Sequence, residues 1–179
     1  LHRFKNFGTI KSENSYISTN GGLIGDSKGE TNITQCGNYG NVSCIASDPT
    51  GNCKAAGIVC TADGAIAINA TENTGSITAS GAAFSTACGG LCESQGKAHF
   101  YECTNEGNVE ANAADAEIVE GTAEATSCGI LCLGGISGFV VDKCINKGNI
   151  TSTGGINAIA SGIMANLMST IMRQDENDR

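Results

Sequence analysis

The chain has 179 residues and a formal net charge of −8, and it contains 25 glycines, ten cysteines, one proline and no tryptophan. The negative charge argues against nucleic acid or an anionic membrane as a partner, and a hydrophobic share of 40% excludes a disordered chain. Because only 4% of the residues are aromatic, small and aliphatic side chains must fill the core, which predicts a narrow and regular interior.

A seven-residue signature, x-x-Asn-x-Gly-x-Ile/Val, recurs five times, in repeats that begin near residues 4, 36, 71, 103 and 144. Its asparagines are Asn6, Asn38, Asn73, Asn105 and Asn146, and its glycines are Gly8, Gly40, Gly75, Gly107 and Gly148. Asn177 falls in register with the start of a sixth repeat near residue 175. We therefore interpret residues 1–179 as a single repeat domain that is part of a longer array.

Three short β-like segments follow one another within each repeat, separated by turn residues. The first alternates apolar or small residues with polar ones, as in Ile77-Thr78-Ala79, which is typical of a strand with one buried face. The second is a glycine-rich block at 21–25, 56–60, 88–92, 128–132 and 161–165, and the third lies just before the next signature. This pattern predicts an all-β fold, a right-handed parallel β-solenoid of about five coils, with three short strands per coil and 32–41 residues per repeat.

The signature residues are expected to form the corners of the coils. The recurrent glycine suits a backbone conformation that is closed to other residues, and asparagine tolerates a left-handed turn. Stacked asparagine amides can also hydrogen-bond from coil to coil. The alternatives for this column are turn geometry alone or a ligand site.

The fourth position of each glycine-rich block forms a second column of interest, which consists of Ile24, Val59, Leu91, Leu131 and Met164. If strict alternation holds, these side chains form an outward apolar stripe, and such a stripe marks a partner or self-association surface. The alternative is a corner at which two successive residues both point inward.

The sequence resembles the GLUG-motif repeats of bacterial surface proteins and adhesins. The resemblance is carried by Gly-Gly-Leu-Ile-Gly at 21–25, Ile-Thr-Gln-Cys at 33–36 and Gly-Asn-Val at 40–42, and it recurs at 100–109 and 144–150. It covers nearly the whole chain and implies a stalk or adhesive module at the cell surface. Cysteine replaces the last glycine of the block at 60, 92 and 132, which departs from the family pattern.

The ten cysteines fall into columns that they share with glycine, alanine, serine and threonine, and this exchange favours buried free thiols over a disulfide framework. Disulfides remain the alternative, because a strand spacing of about 4.8 Å lies within the permitted Cα separation. The candidate pairs are Cys103–Cys144, Cys88–Cys128 and Cys44–Cys53. A zinc site built from Cys-x-x-x-Cys at 88/92 and 128/132 is disfavoured.

No catalytic constellation or phosphate-binding loop can be assembled from the sequence, so we expect no enzyme activity, no catalytic residues, no cofactor and no metal. His99 is expected at an outward polar position. An insertion around 111–127, with Asp115, Glu117, Glu120 and Glu124, is expected to be a solvated loop, with Ca²⁺ or a basic partner as the alternative.

We therefore expect an extracellular or cell-surface repeat module, either an adhesin stalk and scaffold or a binder of a host ligand or glycan. The alternatives are a subunit of an extracellular fibre, associated end to end or laterally, and a carbohydrate-active or ice-binding solenoid. A membrane span is not expected. In a secretory setting that glycosylates proteins, the sequons place possible glycans on Asn32, Asn41, Asn69 and Asn149.

Overall fold

The computed structural model describes residues 1–13, 16–115, 123–133 and 138–165, and in this part of the chain all regular elements are β-strands. The strands of the first coil are β1 (Lys5–Asn6), β2 (Ile10–Glu13), β3 (Ile17–Gly21), β4 (Ile24–Ser27) and β5 (Thr31–Thr34). The second coil contains β6 (Gly37–Asn38), β7 (Val42–Ile45), β8 (Asn52–Ala56), β9 (Val59–Ala62) and β10 (Ile66–Asn69). The third contains β11 (Glu72–Asn73), β12 (Ile77–Ser80), β13 (Phe84–Cys88), β14 (Leu91–Ser94) and β15 (Ala98–Tyr101).

The fourth coil contains β16 (Thr104–Asn105), β17 (Val109–Asn112), β18 (Glu124–Cys128), β19 (Leu131–Leu133) and β20 (Phe139–Asp142). A partial fifth coil contributes β21 (Ile145–Asn146), β22 (Ile150–Thr153) and β23 (Asn157–Ser161), and Met164 adds a single bridge to Leu131.

Each strand pairs in parallel with the strand at the same position in the next coil, and this stacking forms five parallel sheets along the molecule. The register places equivalent residues of successive repeats opposite one another. Ile77, for example, lies opposite Val42 on one side and Val109 on the other. The predicted parallel β-solenoid is thereby confirmed. The prediction of three strands per coil is wrong, because each complete coil has five, and the described residues form four complete coils and part of a fifth.

The extra strands arise at backbone bends that split the predicted segments. Within the second block of coil two, Ile58 N and Val59 N both donate to the carbonyl oxygen of Gly90, at 3.2 and 3.0 Å. Two successive donors on one acceptor mark the point at which the chain changes direction, as in a β-bulge. The two-residue strand at the signature asparagine is too short to show an alternating pattern in the sequence.

The corner before each signature has a left-handed backbone, although no glycine occupies it. Positive φ angles of 46–57° occur in all five coils at one column, whose members are Arg3, Gln35, Ala70, Glu102 and Lys143. The expectation that the signature asparagine or glycine takes the left-handed conformation is therefore wrong, since no signature residue has a positive φ angle.

The two largest of the apolar clusters in the interior differ in composition. One is built mainly from large aliphatic residues and Phe100, and the other combines Val42, Ile77 and Val109 with alanines and a cystine. Small residues dominate the second cluster because the facing sheets approach closely there, as the low aromatic content predicts.

Candidate functional site

The signature asparagines form a continuous hydrogen-bonded ladder that runs the length of the described solenoid. The Nδ2 of Asn38 donates to Oδ1 of Asn73 at 2.8 Å, and the same bond links every successive pair from Asn6 to Asn146 at 2.7–2.8 Å. Each Nδ2 also donates to the carbonyl oxygen of the glycine two residues later, at 2.7–2.9 Å. Asn38, Asn73 and Asn105 are fully buried, so the ladder satisfies amide groups that would otherwise be costly to bury.

Glycines line both sides of this ladder because no side chain fits there. A Cβ atom on Gly75 would lie 2.0 Å from the carbonyl oxygen of Gly40, and the same distance recurs at Gly40, Gly107 and Gly148. On the other side, a Cβ on Gly57 would lie 2.4 Å from Cγ of Asn73. The glycine at the second position of the block therefore packs directly on the signature asparagine, which explains why the two motifs recur together.

The apolar column of the glycine-rich blocks is not an exposed stripe. Val59, Leu91 and Leu131 are completely buried, while Ile24 and Met164 are partly buried and pack against the aliphatic cluster. The prediction that this column faces outward is therefore wrong. At the backbone bend two successive residues both point inward, so that Leu91 enters the aliphatic cluster and Cys92 enters a separate cluster of thiols.

One pair of cysteines forms a disulfide, and the other eight cysteines are free thiols. Cys44 and Cys53 are bonded to each other across the interior of the second coil, with a Cα separation of 5.9 Å. Seven of the free thiols are buried. Five of them cluster between the coils, namely Cys60, Cys88, Cys92, Cys128 and Cys132.

Within the thiol cluster, Cys92 Sγ donates to the carbonyl oxygen of Ala55 at 3.0 Å and Cys132 Sγ donates to that of Ala87 at 3.1 Å. Burial raises the pKa of the Cys88, Cys92 and Cys132 thiols well above the usual range, which keeps them neutral and unreactive. Among the described residues, no group of three or more His, Cys, Asp or Glu side chains is arranged to hold a metal ion.

An apolar groove of about 480 Å³ lies on the outer face of the sheet formed by β5, β10, β15 and β20. Ile66, Ala67, Ala98, Phe139 and Val140 supply much of its lining. His99, which was expected to point outward, is exposed and also borders this groove. No sequence motif predicted the groove, because the residues that line it come from different coils.

A second, more polar groove of about 250 Å³ lies on the outer face of the sheet that contains β8, β13 and β18. Phe84 is 43% exposed there, next to the half-buried ion pair between Lys54 and Glu93. Glu124 accepts a hydrogen bond from Asn157 at 3.1 Å. The Oδ1 atom of Asn52, which also lines the groove, is buried and has no hydrogen-bond partner among the described residues, so this groove contains an unused acceptor.

Of the four sequon asparagines, Asn32, Asn41 and Asn149 are exposed and Asn69 is half-buried. Of the acidic residues in the predicted insertion, Asp115 and Glu124 are described, whereas Glu117 and Glu120 lie outside the described residues, as does the expected start of a sixth repeat near 175.

Comparisons of the chain with protein-family models, with curated proteins and with solved structures found no match. In the described part of the chain, no helix is long and apolar enough to cross a membrane.

Proposed function

We propose that the protein is a non-enzymatic repeat module of an extracellular or cell-surface protein, in which it acts as a stalk or scaffold. The observation that carries this proposal is the continuity of all five sheets and of the buried asparagine ladder from coil to coil. Stacked coils joined in this way transmit load along the whole array and hold attached modules at a fixed distance. The resemblance of the repeats to GLUG motifs supports the surface location.

Protease treatment of intact cells that produce the protein tests the location. Peptides from residues 1–179 are expected in the released fraction before lysis, together with those of a known surface protein, while a cytoplasmic marker stays protected. Release of these peptides only after lysis would contradict the surface assignment.

Glycan binding at the polar groove is the second candidate function. An exposed aromatic ring beside hydroxyl, amide and charged groups is the mixture that concave ligand sites use, and Phe84, Thr86, Asn52 and Lys54 supply it here. The carboxylates of the groove already have partners, since Glu93 pairs with Lys54 and Glu124 bonds Asn157. These pairings favour binding over carbohydrate cleavage.

A glycan array read with the native protein and with Phe84→Ala tests this second function. Binding is expected to fall at least tenfold in Phe84→Ala and to persist in Phe7→Ala, which removes an exposed ring outside the groove. Equal binding by both variants would exclude the groove, and release of reducing sugars from a bound glycan would contradict the non-enzymatic assignment.

Assembly into a fibre, end to end or laterally, is the remaining alternative. Phe4, Phe7 and Ile17 are 57%, 72% and 67% exposed, and such apolar side chains are candidates for a contact between copies. Light scattering over a wide concentration range distinguishes a subunit that assembles into a fibre from a module that stays a single chain. A stacking subunit gains mass with concentration, whereas a mass that stays at that of a single chain would exclude the fibre.

A further inference from the structure

Two free thiols lie side by side where the fourth coil meets the fifth. The register of β16 on β21 pairs Thr104 with Ile145, so that Cys103 and Cys144, the residues immediately before the two strands, are neighbours. The backbone confirms this placement, because Ile145 N donates to the carbonyl oxygen of Cys103 at 2.9 Å. Neighbouring strands are about 4.8 Å apart, and this spacing lies within the Cα separation that a disulfide permits.

The two thiols differ in exposure. Cys103 is 5% exposed and donates to the carbonyl oxygen of Ile68 at 3.2 Å, whereas Cys144 is the one free cysteine that is not buried. A hydrogen bond between the two side chains lowers the pKa of Cys144 to about 7 and raises that of Cys103. An accessible thiolate beside a buried second thiol is the arrangement of an attacking and a resolving cysteine.

We propose that Cys144 and Cys103 form a redox-active pair that a small-molecule disulfide oxidises to a bond between the coils. The Cys144 thiolate attacks one sulfur of the disulfide, which forms a mixed disulfide and releases one small thiolate. The Cys103 sulfur, after losing its proton to solvent, then attacks Cys144 Sγ and releases the second small thiolate. The protein loses two electrons and two protons, and the small-molecule disulfide takes up the electrons to become two thiols.

The bond would connect β16 to β21 covalently and close a chain segment of about 41 residues, the spacing of this repeat. The buried cluster has neighbouring thiols as well, such as Cys88 opposite Cys128 in the paired strands β13 and β18. Both of these are completely buried, so a soluble oxidant reaches Cys144 first.

The test is to treat the native protein with oxidised glutathione and to map the products by mass spectrometry after alkylation. The wild type is expected to lose two hydrogens, with the new bond mapped to Cys103–Cys144 and no retained glutathione. Cys103→Ser is expected to retain one glutathionyl group on Cys144, and Cys144→Ser is expected to leave Cys103 reduced. Cys36→Ser is the matched control, because Thr71 separates Cys36 from Cys103 in the same column, and it should behave as the wild type.

Cys103→Ala repeats the experiment without a new hydroxyl group, and each variant is first checked for the native β-sheet circular dichroism spectrum. A stable glutathionyl adduct on Cys144 of the wild type would overturn the proposal, because it would show that Cys103 does not resolve it. An absence of reaction at Cys144, or a bond mapped to any other pair apart from Cys44–Cys53, would overturn it equally.

Discussion

The signature asparagine contributes to the fold because its side chain has both a donor and an acceptor. Asn73 accepts from Asn38, donates to Asn105 and donates to its own turn at the carbonyl oxygen of Gly75. A hydrophobic residue of similar size would leave the Gly75 carbonyl and the neighbouring amides buried without partners. The same side chain thus closes the corner within one coil and fixes the distance to the next.

Replacing the middle of the ladder should cost more than replacing its end. Asn73→Ala leaves a buried donor on Asn38 and a buried acceptor on Asn105, and each unsatisfied group costs about 1–3 kcal/mol. We expect the free energy of unfolding in urea to fall by about 3 kcal/mol or more. Asn6→Ala, which disturbs only one neighbour at a partly exposed position, should cost about 1 kcal/mol. Equal losses in the two variants would contradict a cooperative ladder.

The glycine at the second position of the first four blocks should be equally intolerant of a methyl group. In Gly57→Ala the new Cβ lies 2.2 Å from the carbonyl oxygen of Gly89, and backbone atoms cannot rotate away. Overpacking of this kind costs about 1–3 kcal/mol and at backbone contacts more, so we expect a large fall in the unfolding midpoint. Gly162→Ala is the matched control in the same column, since no described atom lies within 4 Å of its Cβ, and it should be nearly neutral.

At the scale of the strands, the second and third strands of each coil, which are β2 and β3 in coil one, face each other across a narrow interior. In coil one the facing residues Ser12 and Ser18 hydrogen-bond to each other, and in coil two the disulfide Cys44–Cys53 stands at the same place. Coil four fills this place with Ala111 and Ala125. The interior accepts only small groups here, and the coils differ in how those groups interact.

The disulfide should stabilise the second coil mainly by restricting the unfolded chain. Its two cysteines are nine residues apart, for which loop-closure arguments give about 2–3 kcal/mol. The double variant Cys44→Ser with Cys53→Ser, which copies the serine pair of coil one, should lose about that amount in urea unfolding without reductant. With dithiothreitol present during unfolding, the wild type should fall to a similar stability. A difference that persists unchanged in reductant would show that the bond is not the cause.

At the scale of the whole molecule, the repeat period and the alternation of strands such as β12 were sufficient to predict a parallel solenoid. The number of strands per coil was not predictable, because the bend at Ile58 and Val59 depends on a shared backbone acceptor in the next coil, Gly90. The left-handed corner at Ala70 was not predictable either, because no glycine occupies it. The two grooves could not be predicted for a related reason, since residues such as Asn52 and Phe84 become neighbours only after the coils stack.

The stacking of equivalent coils predicts that a whole coil can be removed if the register is kept. Deleting residues 78–109 removes 32 residues, the spacing of Asn73 and Asn105, so that Glu110 takes the outward place of Thr78 and Ala111 takes the inward place of Ala79. Since a solenoid's stability is approximately a sum over repeats and their interfaces, this variant should fold with lower stability and a smaller urea m-value.

Deleting only residues 78–108 is the matched control, because it shifts the strand by one position and reverses the faces of its side chains. Glu110 would then occupy the site of Ala79, which is completely buried, and Val109 would face solvent. Circular dichroism should show a cooperative β-sheet transition for the 32-residue deletion and none for the 31-residue deletion. Two variants that both fold cooperatively would mean that the turns absorb the shift and that strand alternation does not set the register between coils.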